Sequence, residues 1–231
     1  MASTVSGISS MATRRVLAEL SESYRAAGGF LAVEAVGGVD AAKRVRAGEN
    51  FDLVVLADDV IEKLEAEGRL VAGSRVGFVR SPMAIAVREG AAKPGIGCET
   101  AVRAALTGAR SIGYSTGPSG THLLAVLKSW GLDPAAEPAR FVQAKPGVPV
   151  AALVAKGEAE IGVQQLSEFL GEPRIAILGL APAPVQSVTT FSIGIGAGSA
   201  KVDAARAAVA FLNGAEAAEI KRRFGQQPAD D

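Results

Sequence analysis

Up to Leu64 the chain alternates short apolar runs with helical patterns. Thr4–Ser9, Phe30–Val36 and Asp52–Ala57 read as buried strands. Between and after them come an amphipathic helix with Val16, Leu17, Leu20 and Tyr24 on one face, a helix over Ala41–Ala47, and a third through Leu64. Apolar positions spaced by three and four residues mark the helices, and short apolar runs bounded by Gly, Ser or Asp mark the strands. A βαβαβα order of this kind implies a parallel sheet covered by helices on both faces.

The rhythm breaks at Arg75–Arg80 and Met83–Val87, two extended runs with no helix between them. A second α/β block follows: a helix over Glu99–Leu106, the run Ser111–Tyr114, a helix closed by Trp130–Leu132, the extended Phe141–Gln143, a helix to Ala155, and a strand over Ala159–Val163. Ile175–Leu178 is short and extended, Ser187–Ile195 is a long strand, and two helices begin near Val202 and Ala215. A chain of 231 residues, 48% of them apolar, holds enough material for two lobes. The expected organisation is residues 1–80 with 190–231 as one lobe and 81–189 as the other, joined by two crossing strands, with a ligand between them.

Each strand-to-helix junction is built of small hydroxyl or glycine residues: Ser9-Ser10, Gly37-Gly38, Thr116 to Gly120, and Gln164 to Glu168. In α/β proteins ligands meet the carboxyl ends of strands. The first N–H groups of a helix have no intrahelical partner and stand at the positive end of its dipole. Ser111-Ile112-Gly113-Tyr114-Ser115-Thr116-Gly117-Pro118-Ser119-Gly120-Thr121-His122 is the fullest example. Its glycines admit a ligand close to the backbone, its hydroxyls add donors, and Pro118 suits the first helical turn. The bland alternative is a well-capped turn, with Ser9-Ser10 and Asp40 serving as N-caps.

Lys plus Arg and Asp plus Glu both number 24, so no basic excess points to nucleic acid. One cysteine, Cys98, excludes an internal disulfide, and one histidine excludes a histidine-rich metal site. No cofactor motif stands out, and no apolar run reaches the ~20 residues of a membrane span. Met1-Ala2-Ser3-Thr4-Val5 has neither a basic nor a long apolar leader region. As written the chain reads as cytoplasmic; it reads as periplasmic if a leader has been trimmed away.

Taken in order, the junctions resemble the periplasmic molybdate-binding protein family, the type II solute-binding proteins of ABC importers. Ser9-Ser10-Met11-Ala12 stands where that family has a small-residue-Ser-Leu-Thr turn, and Pro118-Ser119-Gly120 where it has Pro-Ala-Gly. Ala47-Gly48 to Asp58 is similar to its A-G-x-x-x-D-x-x-x-x-A-D pattern, and Lys156 to Gly162 to its Lys-Gly-Glu-Ala-x-x-Gly element. The resemblance implies a two-lobed α/β fold and capture of a small anion by a monomer, with an ABC permease as partner if the chain is exported. It implies ligand contacts at Ser10, Val39, Ser119, Val148 and Gln165, with Ser9, Gly38, Thr116, Gly120 and Gln164 beside them. Two positions depart from the family: Val39 replaces a Ser and Gln165 a Tyr. Two hydroxyls are lost and amides gained, which favours a planar carboxylate over a tetrahedral oxyanion such as molybdate.

The family resemblance extends to aconitate isomerase-like members, which move a proton and a double bond within a tricarboxylic acid. Such chemistry needs a general base near the bound acid. His122, Glu168 and Tyr114 are the candidates; each also has a plain structural reading, as a surface histidine, a helix cap and a packed aromatic. Asp58-Asp59 could hold a metal only with further ligands, and none is adjacent in sequence.

Overall fold

The computed structural model describes residues 4–229. The reading of Met1–Ser3 as lacking a leader falls outside them. The chain forms two compact units, one through Ser81 and again from Thr190 onward, the other Pro82–Thr189.

In chain order the first unit holds β1 (Val5–Ser10), a 3₁₀ turn over Met11–Thr13, α1 (Arg14–Ala26), β2 (Leu31–Val36), α2 (Gly38–Arg46), β3 (Leu53–Ala57) and α3 (Asp58–Ala66). β4 (Val76–Arg88) begins in this unit and ends in the second. There follow α4 (Glu99–Gly108), β5 (Ile112–Tyr114), α5 (Pro118–Ser129), β6 (Phe141–Gln143), α6 (Val150–Lys156), β7 (Ile161–Gln165), α7 (Leu166–Phe169) and β8 (Ile175–Leu180). β9 (Val188–Ile195) returns to the first unit, which α8 (Val202–Leu212), α9 (Ala215–Arg223) and β10 (Gln227–Pro228) complete.

In the first unit β1 lies between β2 and β3, all parallel, and β9 runs antiparallel on the far side of β3. Every residue of β3 is buried, because its alternating side chains meet a core on both faces. Leu53 and Val55 join Val16, Leu20, Phe191 and Ala205 under α1 and α8, while Val54 and Leu56 join Ile8, Ala42 and Ile61 under α2 and α3.

In the second unit β7 runs parallel to β5 and antiparallel to β4; β6 extends the sheet beyond β5, and β8 lies antiparallel to β4. Met83, Ile85 and Val87 of β4 face one core with Leu123 and Val163; Ala84 and Ala86 face another with Val150, Val154 and Phe169. Glycine decides how close α6 lies. A Cβ on Gly162 would stand 2.6 Å from Val154 Cγ2, and one on Gly113 3.0 Å from Val150 Cγ1. Bare backbone on β5 and β7 therefore lets α6 settle directly on the sheet and carries its first residue to the end of β7.

Several local expectations change. The runs around Arg75–Arg80 and Met83–Val87 are one unbroken strand, β4. Ser10 does not cap a helix with its side chain: a 3₁₀ turn intervenes and α1 starts only at Arg14. Asp40 lies inside the first turn of α2, whose N-cap is Gly37. The strand expected over Ala159–Val163 runs from Ile161 to Gln165, so both glutamines belong to it. Among the described residues no helix is long and apolar enough to cross a membrane.

Candidate functional site

Parallel strands place their carboxyl ends, and the helices that follow them, at one edge of a sheet. In the first unit this edge carries Ser10, the start of α2 and the start of α3. Ser9 and Ser10 point to opposite faces of β1, as successive strand residues must. Ser9 is buried, and its Oγ reaches the Glu34 carbonyl at 3.5 Å. Ser10 faces α2: a Cβ on Gly38 would stand 3.6 Å from Ser10 Cβ. The Ser10 hydroxyl is buried and has no hydrogen-bond partner in the protein. Beside it, the first N–H groups of α2, those of Gly38 and Val39 among them, have no intrahelical acceptor. The Val39 side chain is 48% exposed, so only its backbone qualifies as a contact.

Asp58, at the start of α3, is committed elsewhere. Its carboxylate accepts Arg75 Nε at 2.8 Å, Arg75 Nη2 at 2.5 Å and Ser192 Oγ at 2.5 Å. The hydrogen bonds from Arg75 hold its pKa below the ordinary value. Among the described residues no group of three or more His, Cys, Asp or Glu is placed to hold a metal ion.

In the second unit the turn before α5 is held by its own hydroxyls. Ser115 Oγ lies 3.2 Å from Ser119 Oγ and accepts the Gly117 N–H at 3.2 Å. Ser119 is buried and Thr116 half-buried. Gly120 is required here, since a Cβ would come within 1.8 Å of the Ser115 carbonyl oxygen. Pro118 occupies the first turn of α5, where its missing N–H costs nothing. Tyr114 sits in the apolar cluster with Met83 and Leu123, a packing role. His122 is half-buried, and its Nε2 lies 3.1 Å from the Val185 carbonyl oxygen. A carbonyl only accepts, so Nε2 bears the proton and ties α5 to the 182–186 turn.

The end of β7 is where the polar groups concentrate. Gln164 Oε1 accepts the Val150 N–H at 2.7 Å, capping α6, and Gln164 Nε2 donates to Glu168 Oε1 at 2.8 Å. Gln164 therefore spends its oxygen and one N–H of its amide within the protein. Val148 N–H donates to the Lys145 carbonyl at 2.9 Å and is likewise engaged, although its side chain is 37% exposed. Gln165 is 1% exposed; its Nε2 donates to Thr189 Oγ1 at 2.8 Å and its Oε1 has no partner. A hydroxyl partner can accept or donate, so the Gln165 amide can equally turn its N–H₂ outward while the Thr189 hydroxyl donates to Oε1. Glu168 caps no helix; burial alone pushes its pKa up to about 8.

Each unit thus holds a buried polar atom without a protein partner at a strand's carboxyl end: Ser10 Oγ in the first, Gln165 Oε1 in the second. Thr189, which orients Gln165, is a residue that pattern reading passed over, because its partner lies 24 positions away in sequence.

Residues 5–227 match the family of bacterial extracellular solute-binding proteins. An aconitate isomerase of Pseudomonas sp is 37% identical over 187 residues, which cover 80% of this chain and 70% of that relative. The periplasmic molybdate-binding protein of Azotobacter vinelandii superposes with a TM-score of 0.78 at 20% identity, over 96% of this chain and 98% of its own. A binding protein of A. tumefaciens R10 in complex with agropinic acid gives a TM-score of 0.72 at 14% identity, over 98% of this chain and 84% of its own. At such identities the two structures speak for the fold alone.

Proposed function

The chain belongs to the bacterial extracellular solute-binding proteins and has the two-lobed type II fold, and from that premise we propose that it captures a small organic anion of the di- or tricarboxylate class. Hydroxyl, amide and helix N-terminal N–H groups at the carboxyl ends of strands would hold the anion, with Ser10, the N–H groups of Gly38 and Val39, Ser119 and Gln165 as the candidate contacts. The observation that carries this reading is the buried Ser10 hydroxyl without a partner. Leaving such a group unsatisfied costs roughly 1–3 kcal/mol, a cost that a bound ligand removes. Oriented neutral dipoles suffice for an anion where water is scarce. An amide at Gln165 meets a planar carboxylate edge-on, and a relative whose name specifies aconitate is consistent with that class. The partner expected of an exported member is an ABC permease.

A thermal-shift screen tests the reading. Ligand at 100 times its Kd adds about 2.7 kcal/mol, worth roughly 5–10 °C for a chain of this size. Citrate, tricarballylate or trans-aconitate should raise Tm, and molybdate and tungstate should not. A shift with the metal oxyanions alone would overturn the carboxylate assignment.

One observation favours a second reading, isomerisation of the bound acid. A relative of this chain, 37% identical, is named aconitate isomerase, and Glu168, whose carboxyl pKa is pushed up to about 8 by burial, is the candidate group to take and return the proton. Proton NMR of trans-aconitate in D₂O with the protein decides it: loss of C–H signal by exchange supports the reaction, and an unchanged spectrum removes it.

A further inference from the structure

A serine at the end of a strand, followed by residues able to wind into a helix, ordinarily becomes that helix's N-cap. Were α1 to begin at Met11, the Ser10 hydroxyl would turn inward and accept an N–H of the first turn. Instead Ser10 is extended (φ −77°, ψ 161°), Met11–Thr13 form a 3₁₀ turn, and Thr13 stands at the N-cap of α1. The Ser10 hydroxyl is left without a partner in the protein. The carbonyls of this turn are held one by one. That of Ser10 accepts Thr13 Oγ1 at 3.2 Å, and that of Met11 accepts the Arg14 N–H. That of Ala12 accepts Gln226 Nε2 at 3.1 Å, from a residue 214 positions away.

A carbonyl only accepts, so the Gln226 amide can face Ala12 only with its nitrogen. Gln226 is 1% exposed. Its backbone N–H donates to the Lys221 carbonyl at 3.1 Å, at the end of α9, and the two residues after it pair with Arg80 and Val79 of β4. Arg15, in the first turn of α1, lies over the Phe224 ring at 5.4 Å. The last described stretch of chain is thus fastened to α9, to β4 and to the start of α1, and its glutamine side chain reaches the turn that follows Ser10. An α-helix begun at Met11 would hand the Ala12 carbonyl to the Val16 N–H. The Gln226 donor competes with that bond.

We propose that Gln226 is a positioning residue for the anion site: by holding the Ala12 carbonyl it keeps Met11–Thr13 from joining α1, and so reserves the Ser10 hydroxyl for the ligand. The inference rests on the anion-capture reading and adds to it a residue from the far end of the sequence that touches no ligand.

A double-mutant cycle on the whole chain tests this, with calorimetric titration of tricarballylate as the readout. Gln226→Met keeps the length of the side chain and removes the donor. It should weaken binding about 5- to 50-fold, and by no more than Ser10→Ala does, since it acts through that hydroxyl. In the Ser10→Ala background the same change should alter Kd less than about twofold, a coupling that a merely structural role would not produce. In the ligand-free Gln226→Met protein the Cα chemical shifts of Met11, Ala12 and Thr13 should move toward α-helical values. Gln226→Asn, one methylene too short to reach Ala12, should repeat both effects. Equal losses in the two backgrounds, unchanged affinity, unmoved shifts, or loss of folding in both Gln226 variants each overturn the proposal while leaving anion capture intact. Should the wild type bind molybdate and no carboxylate, the same cycle is read with molybdate, because the Ser10 hydroxyl can donate to either anion. Failure of the wild type to bind tricarballylate, citrate or molybdate overturns anion capture itself, and this proposal with it.

Discussion

A buried hydroxyl without a protein partner lowers stability, and Ser10 carries one. Ser10→Ala should therefore leave stability in urea unchanged or raise it slightly, while ligand affinity falls roughly 10- to 100-fold, the worth of one hydrogen bond to a charged group. Unfolding curves and calorimetry on the same variant separate the two effects. Glu168 gives the opposite kind of signature. Between the unfolded carboxyl pKa of ~4.3 and the folded value of about 8, the folded chain keeps a proton that the unfolded chain has released. Stability from this group accordingly falls as pH rises across that window and levels off above it. Glu168→Gln abolishes the slope, so its stability relative to wild type should be greater at pH 8.5 than at pH 5, measured by urea unfolding at both.

Among the elements, the start of α3 is secured by the ion pair of Asp58 with Arg75 and by the Ser192 hydroxyl, which link α3 to the entry of β4 and to β9. Because the folded pKa of Asp58 is lowered, its contribution is fully present above the unfolded value of ~3.9 and is lost as pH falls below it. Asp58→Asn should destabilise the protein at pH 7, and its difference from wild type in thermal melts should shrink as pH is taken below ~3.9. The elements themselves were largely legible in the sequence: the apolar runs at Leu53–Ala57 and the periodic patterns from Val202 and Ala215 coincide with β3, α8 and α9. Legibility ended where tertiary contact outranks local pattern. A hydroxyl before a helical run normally caps it, but the 3₁₀ turn over Met11–Thr13 takes Ser10 out of reach. β10 is two residues long and exists only through its pairing with Val79 and Arg80 of β4, so it has no period of its own. Gln164 and Gln165 were readable as candidates. Their division of labour was not, because it depends on α6 lying against β7 through Gly113 and Gly162.

For the whole molecule, the division of the chain matters more than its length. The first unit is assembled from both ends of the sequence: β9 supplies the antiparallel neighbour of β3, and Phe191, Ile193, Ala205 and Ala208 fill the core under α1. A fragment ending at Ser81 lacks all of these and should remain unfolded by circular dichroism. A fragment spanning 82–189 keeps its two apolar clusters and its own sheet, and should show a cooperative thermal transition. Lower stability than that of the full chain is expected for it, since each crossing strand is cut. The same interruption dictates an order of events on the ribosome. The inserted unit emerges whole while the earlier one still lacks its last third. Until β9 arrives, the apolar edge of β3 is a sticky ribbon that other nascent chains can join. Synthesis of this protein therefore passes through an interval in which the half made first is the half that needs a chaperone.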